Sequence, residues 1–185
     1  MSGKVTRTTQ RWTIFETAIG HCAVGWEQSG VTEVRLPERD LDEMRCQLFS
    51  RGATLDSTRN PRWVERVTQR LTLHLRGEFQ DFRDVPLAID ELSQFRQRVY
   101  LATREVLSGT TATYGQIAGA LGSPGAARAV GGALGSNPFS IVVPCHRILG
   151  ARGSLGGFSA FGGTRTKVAL LEIEGVVLPR RAPRG

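Results

Sequence analysis

The feature that most constrains the fold is a change of hydrophobic period near residue 40. Before it, apolar and polar residues alternate in three short runs, at residues 12–15, 22–26 and 31–36, with breaks at Ile19-Gly20 and residues 28–30. A period of two is typical of half-buried strands. We therefore predict an antiparallel meander at the start of the chain.

After residue 40 the apolar residues recur every three or four positions, which predicts helices. The first has its apolar positions at Leu41, Met44, Leu48 and Phe49 and ends near Gly52. The second has them at Trp63, Val67, Leu71 and Leu75, with Pro61 near its first turn and Gly77 past its end. The aromatic residues of these strands and helices are expected in the core, and residues 84–87 are expected to be extended.

The second half is rich in glycine, since 16 of the 22 glycines follow residue 92. That density indicates tight turns and close approach of the backbone to another group. Ser93 is a candidate cap for a helix carrying Phe95, Val99, Ala102 and Val106. Thr113 is a candidate cap for residues 114–121, a turn follows at 122–125, and residues 126–134 form a further helix closed by Gly135. Two helices joined by a short turn predict a helix-turn-helix.

The second helix of this pair carries almost only alanine and glycine on its exposed side, and Arg128 is its one long side chain. Small side chains allow a helix to lie close to a surface, and an arginine can then project into a narrow groove of DNA. A tightly packed core helix explains the same composition. The residues alone leave both readings open.

Charge divides the chain unevenly. Residues 1–91 hold 13 basic and 14 acidic side chains, whereas residues 92–185 hold 11 basic and 3 acidic ones. No carboxylate lies between Glu105 and Glu172. A half with a net charge of +8 attracts polyanions such as nucleic acid, although a solvated basic surface has the same composition.

The cysteine pattern favours a reducing compartment. Cys22, Cys46 and Cys145 make an odd number without regular spacing, which argues against a disulfide framework. A zinc site at His21, Cys22, Cys46 and His74 is an alternative that no CxxC or HxxxH spacing supports. We expect neither a secretory signal nor a membrane span, because no apolar run is long enough.

The candidate reactive centre is the run Pro144-Cys145-His146-Arg147, which follows apolar residues 141–143. We predict a buried strand that ends at Cys145. A thiol needs a base or a nearby positive charge to become the nucleophilic thiolate, and His146 and Arg147 supply candidates. The carboxylates of this half that could orient His146 are Glu105, Glu172 and Glu174. A buried structural cysteine beside a histidine and a cysteine hydrolase are the alternatives.

This run resembles the active-site signature of the O6-alkylguanine-DNA alkyltransferases. The similarity spans about residues 93–175 and continues weakly through Thr17-Ala18-Ile19-Gly20. Its other matching positions are Tyr114, residues 116–118 and 126–131, Asn137-Pro138, residues 156–159 and 162–163, Lys167 and residues 170–175.

The resemblance implies an α+β fold in two domains. Residues 1–91 would form a ribonuclease-H-like domain of a small β-sheet with helices. Residues 92–178 would form a mostly helical, winged helix-turn-helix-like domain, and residues 179–185 a basic tail. The implied activity is irreversible transfer of the alkyl group from O6-alkylguanine, or from O4-alkylthymine, in double-stranded DNA to Cys145. Each molecule would react once, because a thioether offers water no electrophilic carbonyl.

The resemblance also assigns roles to residues. Cys145 would accept the alkyl group, His146 would deprotonate it through a water, and Glu174 would orient His146. Tyr114 would crowd the neighbouring phosphate and help to protonate the leaving base, and Asn137 would brace the turn before the active site. The expected contacts to the flipped base are Ile148, Gly156, Gly157, Phe158 and Ser159. The expected DNA contacts are Tyr114, Ala126, Ala127, Arg128, which would fill the space of the flipped nucleotide, and Gly131.

Four departures from the family pattern stand out. Tyr100 replaces a common Trp and residues 107–109 replace a Pro-containing turn, and both changes are expected to affect packing only. Phe158 replaces a frequent Tyr and the loop at residues 159–163 is longer than in some relatives, and both alter the expected alkyl pocket.

We expect no cofactor and no metal, because no nucleotide-binding loop or ligand cluster competes with this centre. The expected partner is double-stranded DNA with alkylated bases, and no membrane. The chain is expected to be a cytoplasmic monomer, with cooperative assembly on DNA left open.

Overall fold

The computed structural model describes residues 11–52, 54–55 and 60–178 of the 185-residue chain. Its strands are β1 (Arg11–Thr17), β2 (Gly20–Glu27), β3 (Gly30–Arg35), β4 (Thr54–Leu55), β5 (Ala112–Thr113) and β6 (Ile148–Leu149). Its α-helices are α1 (Leu41–Ser50), α2 (Arg62–His74), α3 (Gln94–Arg104), α4 (Tyr114–Ala120), α5 (Ala127–Gly135) and α6 (Thr164–Ile173). Three 3-10 turns are Pro124–Ala126, Cys145–Arg147 and Ala151–Gly153.

The predicted meander is the core of a four-stranded sheet with the order β3-β2-β1-β4. β1 and β2 pair antiparallel from Arg11↔Trp26 to Thr17↔Gly20, and β3 pairs antiparallel with β2. The fourth strand, β4, runs parallel to β1 and has only two residues, so no alternation marks it in the sequence. The α+β class and the small N-terminal sheet are therefore confirmed.

Helices cover both faces of the sheet, which explains why the middle of β2 is buried on both sides. On one face, Met44 and Leu48 of α1 pack against Trp12 and Ala23. On the other face, α2 packs its buried residues Val64, Val67 and Leu71 into the main core. Phe49 is 57% exposed, so its predicted place in the core is wrong. It follows the buried Leu48 directly and points away from the face that α1 buries.

Of the segment expected to be extended, residues 84–87, Asp84 lies in a turn and Val85 in a bend, and Leu87 forms a single parallel bridge with Val31 of the sheet. The Val31 amide donates to the Pro86 carbonyl at 2.9 Å. Gly30 has a φ of +147°, and a Cβ there would lie 2.6 Å from that carbonyl oxygen. Only glycine permits this close approach.

Two of the C-terminal helices, α3 and α4, begin at the predicted caps. Ser93 accepts a hydrogen bond from the Arg96 amide at the start of α3. Thr113 and Gln116 form a capping box at the start of α4, with bonds of 3.1 and 2.7 Å. Tyr100 of α3 donates its hydroxyl to the Ala133 carbonyl of α5 at 3.1 Å, which ties these two helices together.

The strand predicted before Cys145 is wrong. Residues 140–142 form a turn, Ile141 has a φ of +69°, and the Val143 amide donates to the Phe139 carbonyl at 2.8 Å. Ile141, Val142 and Val143 are buried, and a short apolar run of this kind does not distinguish a buried strand from another buried segment. The strand forms after the cysteine instead, where β6 pairs parallel with β5.

The two halves share one main core. The largest buried cluster contains residues of both, from Val24 in β2 to Val130 in α5 and Ile148 in β6. The Val34 amide of β3 also donates to the Pro138 carbonyl at 2.8 Å. The domain boundary at residues 91–92 stays a prediction, and the tail at residues 179–185 lies outside the described residues. Within the described ranges, no helix is long and apolar enough to cross a membrane.

Candidate active site

A mostly apolar cavity of about 790 Å³ lies between the start of α4, the length of α5 and the glycine-rich loop after β6. This volume is typical of small-molecule sites. Nine of the predicted site residues line it: Tyr114, Ala127, Arg128, Gly131, Cys145, Gly156, Gly157, Phe158 and Ser159. The other five lie outside the lining: Ala126, Asn137, His146, Ile148 and Glu174.

Cys145 begins a 3-10 turn directly after Pro144 and is buried at the cavity. Burial raises the pKa of its thiol, although a hydrogen bond with Asn137 and the charge of Lys167 act in the opposite direction. The resting side chain is therefore a protonated thiol that needs a base before it can act as a nucleophile. Of the other cysteines, Cys22 is buried in the N-terminal sheet, which raises its pKa to about 12, and Cys46 is exposed.

His146, the predicted base, is held by Glu174. Its Nε2 lies 2.9 Å from Oε1 of Glu174, and both side chains are buried. An ionised carboxylate can only accept, so Nε2 carries the ring proton and Nδ1 has a free lone pair. Nδ1 is buried and has no hydrogen-bond partner in the described part of the chain. Burial lowers the pKa of His146, which favours the neutral imidazole that can take up a proton.

Three carboxylates in this half were candidates to orient His146. Glu174, at the end of α6, is the one that forms a hydrogen bond with it. Burial opposes its ionisation, but hydrogen bonds from His146, His74 and Arg147 outweigh burial and hold the pKa of Glu174 well below its usual range. The carboxylate is therefore ionised at neutral pH and can stabilise the imidazolium that forms when His146 takes a proton.

The guanidinium of Arg147 is directed to Glu174 instead of activating the thiol. Its Nε donates to Oε2 of Glu174 at 2.9 Å and its Nη2 to Oε1 at 2.7 Å, a bidentate pair. Its Nη1 also donates to the Val106 carbonyl and its Nη2 to Oγ of Ser108, at 2.5 and 2.8 Å. Ser108 belongs to one of the departures expected to affect packing only, and the structure includes it in this network.

Asn137 holds the turn that leads to Cys145. Its Nδ2 donates to the Val143 carbonyl at 2.9 Å, and its Oδ1 accepts from the Phe139 amide at 3.0 Å. Both ends of the buried turn are thereby attached to one side chain. The positive φ of Ile141, unusual for a β-branched residue, requires such support.

Tyr114, the first residue of α4, faces the cavity between two glycines. A Cβ at Gly131 would lie 3.9 Å from the Tyr114 ring, and a Cβ at Gly156 would lie 3.5 Å from its hydroxyl oxygen. Gly156 has a φ of +63°, which favours glycine. Burial raises the pKa of Tyr114, as does the neighbouring Cys145, so its hydroxyl keeps its proton and can donate it.

The outer face of α5 lies beside the mouth of the cavity. Ala126 and Ala127 are half-buried at its start, and Arg128 is exposed. Arg128 has no hydrogen bond or ion pair with any residue that the structure describes, so its charge is available for a partner. On the inner face, Val130 and Ala133 are buried. The core reading is therefore confirmed for the inner face, and the DNA-binding reading of the outer face stays a prediction.

Lys167 is a site residue to which the sequence assigned no role. Its fully buried ammonium donates to the carbonyls of Ile148 and Leu155, both at 2.7 Å, and so holds the loop that carries the cavity wall. Burial lowers the pKa of Lys167, while the nearby Cys145 raises it. The carbonyl of Ile148, expected to contact the base, thus already has a buried donor. One feature of the sequence indicates a special role for Lys167: it and Lys4 are the only lysines in the chain.

These features define a class: a helix-turn-helix protein with an exposed arginine, unpaired among the described residues, beside a cavity that ends at a buried cysteine. A family model described as "6-O-methylguanine DNA methyltransferase, DNA binding domain" matches residues 94–176. The chain is 37% identical over 159 residues to the methylated-DNA–protein-cysteine methyltransferase of Mycobacterium tuberculosis, which covers 86% of this chain and 88% of that protein. It is 35% identical to the same protein of Methanosarcina acetivorans, over 89% of this chain and 97% of that one. The chain therefore belongs to the methylated-DNA–protein-cysteine methyltransferase family.

Solved structures agree with this assignment. M. tuberculosis OGT in complex with DNA superposes with a TM-score of 0.69 at 35% identity, over 89% of this chain and 92% of that one. The O6-methylguanine-DNA methyltransferase of Pyrococcus kodakaraensis gives a TM-score of 0.63 at 28% identity, over 90% of this chain and 99% of that one. The family resemblance deduced from the motifs is confirmed.

Proposed function

We propose that this protein repairs DNA by transferring the alkyl group of O6-alkylguanine irreversibly to Cys145, and that O4-alkylthymine is a second substrate. The observation that carries the proposal is the pairing of a buried Cys145 thiol at the cavity with a buried His146 whose Nδ1 is unpartnered. Membership of the methyltransferase family supports the same chemistry.

DNA docking uses α5. Its half-buried alanines let the helix approach the floor of the minor groove, and Arg128 enters the duplex where the target nucleotide leaves. The nucleotide must flip because the O6 substituent cannot be reached within the stacked helix. The cavity then receives the base between Tyr114 and the wall formed by Gly156, Gly157, Phe158 and Ser159.

The proton of the thiol passes to Nδ1 of His146 through a bridging water, and Glu174 stabilises the resulting imidazolium. The Cys145 sulfur attacks the alkyl carbon, so that a C–S bond forms, the C–O bond breaks and the electron pair goes to the guanine. Tyr114 supplies a proton to the leaving base and regains one from the imidazolium by way of solvent. The sum is one thioether and one unmodified guanine, with the thiol proton on the base.

Asn137 acts by holding Cys145 in place, and backbone groups near Ile148 hydrogen-bond the edge of the base. No residue of the site offers a route to cleave a thioether, so each molecule reacts once.

The division into an N-terminal domain (1–91), a DNA-binding and alkyl-acceptor domain (92–178) and a basic tail (179–185) belongs to the same proposal. Three free cysteines among the described residues support a reducing, cytoplasmic location.

Stoichiometry tests the proposal. A duplex with one O6-methylguanine is given in excess, and the amount of repaired guanine is measured over time. We expect repair to stop at one equivalent per protein and to vanish in Cys145→Ser. Continued turnover would indicate a hydrolase-like enzyme, and tight binding without repair would indicate a protein that only marks the lesion.

A further inference from the structure

His74 is a buried polar residue of the N-terminal half that the alkyl-transfer mechanism leaves unused. It ends α2 and is 1% exposed, and its Nε2 lies 2.8 Å from Oε1 of Glu174, one hundred residues further along the chain. The same oxygen accepts from Nε2 of His146. Two histidines from opposite halves of the chain therefore share one carboxylate oxygen.

The hydrogen bonds of His74 fix its tautomer. The backbone amide of Gln80 donates to its Nδ1 at 3.2 Å, so Nδ1 presents a lone pair and the ring proton lies on Nε2. Nε2 therefore donates to Glu174, which can only accept. The ring of Phe82 packs edge-on at 5.3 Å between centroids and keeps the imidazole in this orientation.

With the hydrogen bond from His74, the carboxylate of Glu174 accepts four hydrogen bonds. Oε1 receives hydrogen bonds from His74, His146 and Arg147, and Oε2 receives one from Arg147. A carboxylate has about four acceptor sites. With these four hydrogen bonds in place, Glu174 cannot rotate away from His146 without breaking bonds to both α2 and Arg147.

We propose that His74 is a positioning residue for the alkyl transfer: the N-terminal half holds the catalytic carboxylate, and through it the tautomer of His146 that leaves Nδ1 free to take the thiol proton. The inference rests on the function proposed above. It gives the N-terminal half a direct part in the reaction, although no residue of α2 lines the cavity.

Removing His74 should also change the pH dependence. Without this donor, one fewer hydrogen bond compensates the negative charge on Oε1 of Glu174. The oxygen then interacts more strongly with His146 and stabilises its imidazolium form. The pKa of His146 then rises, and the neutral base becomes scarcer at acidic pH. The titratable and charged groups of the elements packed around His146, within the described chain, are His74, Arg147, Lys167, Glu174 and the Cys145 thiol.

The experiment measures the single-turnover rate of the full-length protein with a saturating O6-methylguanine duplex as a function of pH. In His74→Leu the acidic limb should move up by about one pH unit, which makes the rate about tenfold lower on that limb. His74→Gln, whose amide can donate at the place of Nε2, should restore most of the rate. Leu71→Ala, one turn earlier in α2, loses core packing of the same helix and should keep the wild-type pH profile.

Several results would overturn the inference. One is a wild-type pH profile in His74→Leu, and another is an equal loss in the Leu and Gln variants. Because His74→Leu has a chance of misfolding, the ¹⁵N shifts of the wild-type imidazoles provide a second test: His74 must be protonated at Nε2, and an Nδ1–H tautomer contradicts the inference. A wild-type protein that leaves Cys145 unmodified overturns the proposed function, whereas a reactive wild type with unaffected His74 variants overturns this inference alone.

Discussion

Glu174→Gln is the substitution that most strongly tests the buried network. Glutamine keeps the shape of the side chain, but its amide nitrogen donates where an oxygen accepted from Arg147 or the histidines. Four hydrogen bonds of 2.7 to 2.9 Å converge on the carboxylate, and all four residues that take part in them are buried. The variant leaves the buried Arg147 without its counter-ion.

The expected magnitude follows from that loss. Breaking a buried ion pair by removing one partner costs about 3–5 kcal/mol of folding free energy. The proton acceptor His146 also loses its orienting partner, and general-base catalysis contributes roughly 10²- to 10⁴-fold. We therefore expect both a lower urea midpoint and a single-turnover rate reduced by roughly 10²-fold or more, measured on the folded fraction.

Glu172→Gln is the matched control, because Glu172 is exposed on the same helix, two residues earlier. It should behave as the wild type in both assays. The reasoning is refuted if Glu174→Gln costs about 1 kcal/mol or less, the value of a surface pair, and leaves the rate close to that of Glu172→Gln.

Three further predictions concern DNA docking, the loop and pH. Arg128→Ala should slow repair of a duplex about tenfold or more but leave the reaction with free O6-methylguanine unchanged; an equal loss on both contradicts its role, and Arg39→Ala, in the N-terminal half, is the control. Lys167→Met should lower the urea midpoint and raise the pKa of the Cys145 thiol, because it removes a buried cation and two charged hydrogen bonds; unchanged thiol titration contradicts this. Both Glu174 and His146 have folded-state pKa values below their unfolded values of about 4.3 and 6.5, so the unfolded chain binds more protons and stability is lost as pH falls from about 7 to 4. Urea midpoints that rise on acidification contradict that sign.

Much of the fold follows from local sequence rules. Alternation predicted β1 to β3, and the caps Ser93 and Thr113 predicted the starts of α3 and α4, because these signals act within a few residues. Phe49 shows the limit of the helical pattern, since its spacing does not say on which side of α1 the core lies. The apolar run before Cys145 shows another limit. Its composition predicts that the segment is buried, but it does not predict the turn that Asn137 stabilises.

The site residues that belong to sequence motifs could be predicted from the sequence. Family spacing led to Cys145, His146 and Glu174, and the structure brings His146 and Glu174 into contact. The contact between His74 and Glu174 has no local signal, because it joins residues one hundred positions apart, at the end of α2 and at the end of α6. The carbonyl ligands of Lys167 are likewise set by the path of the backbone in three dimensions.

The central claim is that Cys145 accepts the alkyl group. The most direct test digests the protein after one equivalent of O6-methylguanine duplex and measures the mass of the peptides with Cys22, Cys46 and Cys145. We predict one methyl group in place of one hydrogen on the Cys145 peptide, with the other two unchanged. Methylation of the exposed Cys46, or an unmodified Cys145 after the lesion has disappeared, would contradict the account.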